Sequence, residues 1–92
     1  MFDPLLHQAV RSKLISLLIS NEELPFKALK EYLEVTDGNL STHLSKLEKA
    51  EYVRIEKMFE GKRPKTVIHI TEVGKNAFRK YIEELKNFIE EN

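Results

Sequence analysis

Residues 37–57 read DGNLSTHLSKLEKAEYVRIEK, and their periodicity changes partway along. Leu40, Leu44 and Leu47 recur at the three- and four-residue spacing of one helical face. From Tyr52 the pattern alternates, with Val53 and Ile55 on one side and Arg54 and Glu56 on the other, as in a half-buried strand. The outward helical positions carry Asn39, Ser41, Thr42 and Ser45. These are poorer helix formers than the Glu and Lys usual on an exposed face. Local helix stability does not explain that choice.

The flanking chain supplies the context. Asp3-Pro4 is a helix-start signal. Leu6, Ala9, Val10, Leu14, Leu17 and Leu18 continue it at helical spacing, predicting a first helix over about 4–20. Leu24 before Pro25 predicts a short extended link. A second helix over about 25–34 buries Phe26, Leu29 and Leu33, with Tyr32 at the edge of that side. Thr36 is placed to cap the third helix, about 37–50. Residues 52–59 and 66–71 are expected to pair as an antiparallel hairpin around EGKRPK, residues 60–65, whose Gly61 and Pro64 signal a turn. A long last helix over about 72–91 carries Val73, Ala77, Phe78, Tyr81, Ile82, Leu85, Phe88 and Ile89.

The order is thus helix, short strand, helix, helix, strand, turn, strand, helix. The fold class is mainly α with a small β-hairpin (α+β), in a single domain spanning residues 1–92. The chain is 41% apolar and 33% charged, which suits a globular protein with a modest core. No run is long enough for a membrane span, and MFDPLL lacks the basic start of a secretory leader, so a cytoplasmic location is expected. The absence of cysteine excludes disulfides and thiolate metal sites. His7, His43 and His69 lie on different elements without metal-ligand spacing, so no metal or cofactor is expected. No nucleophile–base constellation or phosphate-binding glycine loop is present, and an enzyme is not expected.

Net charge is zero, but the distribution is uneven. From Asn39 to Thr71 there are seven basic residues against four acidic, while up to Gly38 there are four against six. A neutral chain can therefore present a local cationic surface.

Two short helices joined by a tight turn, followed by a hairpin with a basic tip, describe a winged helix-turn-helix. The pieces N-L-S-x-H-L-x-K-L-E, Y-V-x-I, G-K-R-P-K-T and I-T-x-x-G-K, in this order, resemble the small stand-alone winged-helix DNA-binding family allied to the MarR, ArsR and PadR transcriptional regulators. The resemblance covers about residues 5–90 and implies a sequence-specific regulator of double-stranded DNA. The third helix would enter the major groove, presenting Gly38, Asn39, Ser41, Thr42 and Ser45 to base edges and phosphate. Lys46 and Lys49 would meet phosphates. The wing at 60–65 would place Arg63 in a minor groove, with Lys62 and Lys65 on its phosphates and Arg54 and Lys57 on the strand behind.

The resemblance also implies a homodimer formed through the first and last helices, here Leu5, Leu6, Tyr81, Leu85, Phe88 and Ile89. A small-molecule effector would then occupy a cleft near Tyr81 or Phe78. Two departures stand out. Relatives carry glycine after the recognition helix where this chain has Glu51; a left-handed glutamate there costs roughly 1 kcal/mol. Glu60 adds an acid to the wing. The competing expectation is a winged-helix protein-interaction module, since fold alone does not settle function.

Overall fold

A computed structural model describes residues 1–91. Its elements run α1 (Ala9–Asn21), β1 (Glu23–Pro25), α2 (Phe26–Leu33), α3 (Asp37–Lys49), β2 (Val53–Glu60), β3 (Arg63–Ile70) and α4 (Glu72–Glu91). The strands form one antiparallel sheet in the order β1-β3-β2. This is the winged helix fold expected from the hydrophobic pattern.

The Asp3-Pro4 signal acts, but for one turn only. Asp3 Oδ1 accepts from the Leu5 amide at 2.8 Å and its carbonyl accepts from the His7 amide at 2.8 Å. Gln8 then adopts an extended conformation and caps a new helix, its Oε1 accepting from the Arg11 amide at 2.7 Å. The first helix therefore starts at Ala9 and not at residue 4. The preceding turn drives Leu6 fully into the core.

One hydrophobic cluster draws Leu6, Leu14, Ile15 and Leu18 together with Leu29 and Leu33 of α2 and Leu40, Leu44 and Leu47 of α3. Val53, Ile68 and Tyr81 close it from the sheet and from α4. Tyr32 lies outside it, 58% exposed. The short extended link pairs with β3, Glu23 opposite His69 and Pro25 opposite Val67, and so seals one side of the hairpin.

The turn of that hairpin is tighter than six residues. Glu60 pairs with Arg63, leaving Gly61-Lys62 as the loop. Gly61 takes φ 67 while Lys62 does not take a positive φ. That pattern matches the type II′ turn, whose twist suits antiparallel strands. Arg63, Pro64 and Lys65 are consequently strand residues. Pro64 is tolerated because β1 reaches only to Val67, so its side of β3 is an open edge.

Three glutamates, Glu22, Glu34 and Glu51, follow helices with φ of 68, 54 and 65. At Glu51 the chain forms a Schellman motif: the Tyr52 amide donates to the Leu47 carbonyl and the Glu51 amide to the Glu48 carbonyl, both at 2.9 Å. Glutamate thus occupies the left-handed position where the resemblance implied glycine. Two satisfied carbonyls and the redirection of the chain into β2 offset the steric cost.

Thr71 caps α4, its Oγ1 accepting from the Gly74 amide at 2.9 Å and donating to backbone carbonyls of Glu51 and Tyr52. Gly74 lies directly against the Tyr52 carbonyl; a Cβ there would stand 2.2 Å from that oxygen. The glycine of the I-T-x-x-G-K pattern is therefore what lets α4 dock on the start of β2.

Candidate nucleic-acid interface

The buried leucines fix how α3 is rotated. With Leu40, Leu44 and Leu47 inside, Gly38, Asn39, Ser41, Thr42, Ser45, Lys46 and Lys49 are all exposed. Thr36 caps the helix by accepting from the Asn39 amide at 3.1 Å. Thr42 donates its hydroxyl to the Gly38 carbonyl at 3.0 Å, which leaves its oxygen as an outward acceptor. Lys30 of α2 pairs with Asp37 at 2.8 Å and counters the one acid in the first turn. Lys30 is half-buried and Asp37 exposed, so the pair adds charge balance more than stability.

Behind α3 lies a contact that the residue pattern did not announce. Arg11 of α1 is 9% exposed. Its Nε donates to the Leu5 carbonyl at 2.7 Å, and its Nη1 lies 3.1 Å from Nδ1 of His43 on α3. A guanidinium has no acceptor, so Nδ1 accepts and the imidazole is neutral with its proton on Nε2. Burial, then the charges of Arg11 and Lys46, hold the His43 pKa below its ordinary value. Arg11 thus ties the N-terminal turn to the inner side of the helix whose outer face carries Asn39 and Thr42. The only sequence signal was a lone arginine one turn before the Leu14–Leu18 stripe.

The hairpin completes the surface. Phe26, Ser41, Leu44, Ser45, Glu48, Ile55, Lys57 and Thr66 line a groove of about 340 Å³ between α3 and the wing. A wider depression of about 680 Å³ runs from the start of α2, including Phe26 and Lys27, to Arg63, Pro64, Lys65 and Thr66. Lys62 and Arg63 are exposed at the tip, and Lys65 is held by Glu60 at 2.9 Å. The acid anticipated as an opponent of phosphate is therefore paired with a neighbouring lysine.

Arg54 does not share this groove. It stands opposite His69 in the β2–β3 register, on the far sheet face, where His69 Nε2 meets Glu56 at 2.8 Å and its Nδ1 approaches Glu23 at 3.7 Å. Lys57 has the parity of Ile55 and faces α3 instead. Strand alternation decides this: two residues from an inward Ile55 is again inward, one residue is not.

The proposed subunit-contact residues separate into two groups. Leu6 is fully buried and Tyr81 is 8% exposed, both inside the protomer's own core. Leu5 and Leu85 are half-buried, while Ile82, Phe88 and Ile89 remain exposed along α4. Tyr81 is fixed by His7, whose Nδ1 lies 3.0 Å from its hydroxyl, and by Phe2, which stacks on His7 at 4.8 Å and meets Tyr81 and Phe88 edge-on. The nearby Tyr52 hydroxyl donates to Asp3, and burial together with that carboxylate pushes its pKa up to about 12. Phe78 lines a shallow cleft with Ile19, Lys75, Arg79 and Ile82. Among the described residues no helix is long and apolar enough to cross a membrane, and no group of three or more His, Cys, Asp or Glu side chains is placed to hold a metal ion.

This architecture has relatives. An uncharacterized protein of Methanocaldococcus jannaschii is 44% identical over 79 residues, covering 86% of this chain and 86% of that one. The solved structure of a transcriptional regulator homologue from Pyrococcus horikoshii superimposes with a TM-score of 0.88 at 30% identity, covering 94% of this chain and 85% of the other. A PadR family transcriptional regulator from Eggerthella lenta shares the fold with a TM-score of 0.70 at 19% identity, covering 89% and 80%. A family profile described as a winged helix DNA-binding domain matches residues 10–89. With that match over most of its length, the chain belongs to the winged helix DNA-binding domain family.

Proposed function

We propose that the protein is a transcriptional regulator that binds duplex DNA in a sequence-specific manner, acting by occupancy and without chemistry. One observation carries this most directly: Ser41 and Ser45 of α3 line a single groove with Lys57 and Thr66 of the wing. The small polar face of one element and a lysine of the other thus form one surface, with Glu48 at its α3 edge. Short side chains let the α3 backbone approach base edges, where Asn39 can pair with adenine and Ser or Thr can donate or accept. Lys46, Lys49, Lys62 and Arg63 supply the phosphate contacts that fix register.

The working unit is a homodimer. Ile82, Phe88 and Ile89 are 43%, 55% and 64% exposed along the last helix, and a second copy of α4 would cover them. A two-fold pair would set two recognition helices on half-sites about one DNA turn apart. A chain truncated after Ile82 should sediment as a monomer while the intact chain sediments as a dimer.

Selection from a random duplex library at near-physiological salt tests the function. A recurring, pseudo-palindromic site is expected. Arg63→Ala and Lys62→Ala should each weaken binding to every duplex and lower the salt slope by about 0.9. Asn39→Ala should change the preferred sequence. Recovery of nothing above non-specific affinity would favour a protein-interaction module instead.

A further inference from the structure

Phe59 is 74% exposed, two residues before the turn of a cationic hairpin. Phosphate binding does not account for a bare aromatic ring there. Its cross-strand partner is Pro64, and directly opposed residues share a sheet face. Ile55, Lys57 and Thr66, which share the parity of Phe59 and Pro64, line the groove against α3. The face holding Phe59 is therefore the one turned toward the recognition helix. Lys57 precedes it by two residues on that face, and Lys62 and Arg63 follow at the tip.

We propose that Phe59 is a DNA-contacting residue that enters the minor groove beside the recognition-helix site, packing on deoxyribose and base edges while Lys57, Lys62 and Arg63 bind the flanking phosphates. This rests on the duplex-binding function proposed above. Charge selects the occupant. Lys57 stands on the ring's own face and Lys62 and Arg63 follow at the tip, and lysine is depleted where apolar protein surfaces meet. A polyanion with apolar sugar faces matches both features. The spacing agrees: same-face strand neighbours lie about 6.6 Å apart and the minor groove is about 6 Å wide. With the ring in the groove, Lys57 reaches a phosphate wall. Apolar side chains inserted this way unstack and bend the duplex.

The test measures binding of one selected duplex over a series of salt concentrations. The proteins are wild type, Phe59→Ala, Phe59→Leu and Lys62→Ala. Phe59→Ala should bind about tenfold more weakly at every salt concentration with the wild-type slope, whereas Lys62→Ala should lower the slope by about 0.9. Phe59→Leu should stay within about threefold of wild type, since an aliphatic wedge also fills the groove. Thermal midpoints should be unchanged, because the exposed ring supports no core. Binding by Phe59→Ala within about twofold of a tightly binding wild type would overturn the proposal while leaving the DNA-binding function standing. Loss of self-association by Phe59→Ala would overturn it by assigning the ring to a protein contact. A wild type that binds no duplex would defeat the underlying function as well.

Discussion

Gly74→Ala opposes two effects of different sign. Gly74 is the third residue of α4, and alanine in a helix ordinarily stabilises by about 0.5–1 kcal/mol relative to glycine. Here the added Cβ would sit 2.2 Å from the Tyr52 carbonyl oxygen, 3.0 Å from the Tyr52 carbonyl carbon and 2.9 Å from Ile70 Cδ1. The isoleucine methyl can rotate aside. The carbonyl is backbone, held by the Thr71 amide at 3.2 Å and the Thr71 hydroxyl at 3.0 Å. The start of α4 must therefore retreat by about 1 Å to reach ordinary contact, weakening the Thr71 cap. Overpacking of this kind costs typically 1–3 kcal/mol, and a backbone clash lies at the upper end. After the propensity gain, a net loss of about 2 kcal/mol remains. For a domain of this size that lowers Tm by roughly 8–16 °C. Circular dichroism melts at matched concentration read the change. An unchanged or raised Tm would refute the close docking of α4 on Tyr52, because propensity would then have won.

Two further outcomes follow from strained or titrating residues. Glu51→Gly removes the left-handed glutamate and should raise stability by about 0.5 kcal/mol after the added freedom of the unfolded chain, measured by urea denaturation. A loss would show that the Glu51 side chain contributes more than its strain costs. His43 has a folded pKa below its ordinary 6.5, so the unfolded chain takes up its proton first. Its contribution to stability is complete above about pH 6.5 and declines as pH falls toward the lower folded value. His43→Gln should flatten that decline relative to wild type; parallel melting curves across this range would exclude the Arg11–His43 contact as its source.

Much of the fold was legible in local pattern. The leucine spacing of α3, the Thr36 cap and the switch to alternation ahead of Val53 each act over a few residues, and each appears in the structure as expected. The outward set from Asn39 to Lys49 followed from the same leucines. Boundaries were less legible where two signals competed. Asp3-Pro4 starts a turn that Gln8 interrupts, and Gly61 closes the hairpin before Pro64 can. Lys57 rather than Arg54 on the groove side was decipherable in principle from the inward Ile55, because strand parity is local.

What the sequence by itself determined was the kind and order of the elements and which face of each is apolar, since helix and strand periods are properties of neighbouring residues. Only the tertiary structure decided which faces meet. It placed Leu6 and Tyr81 in the protomer's own core, set Arg11 behind His43, and laid Gly74 against Tyr52. The last two contacts join residues 32 and 22 positions apart along the chain. They depend on how the elements pack around one shared cluster of leucines, and no local period encodes that packing.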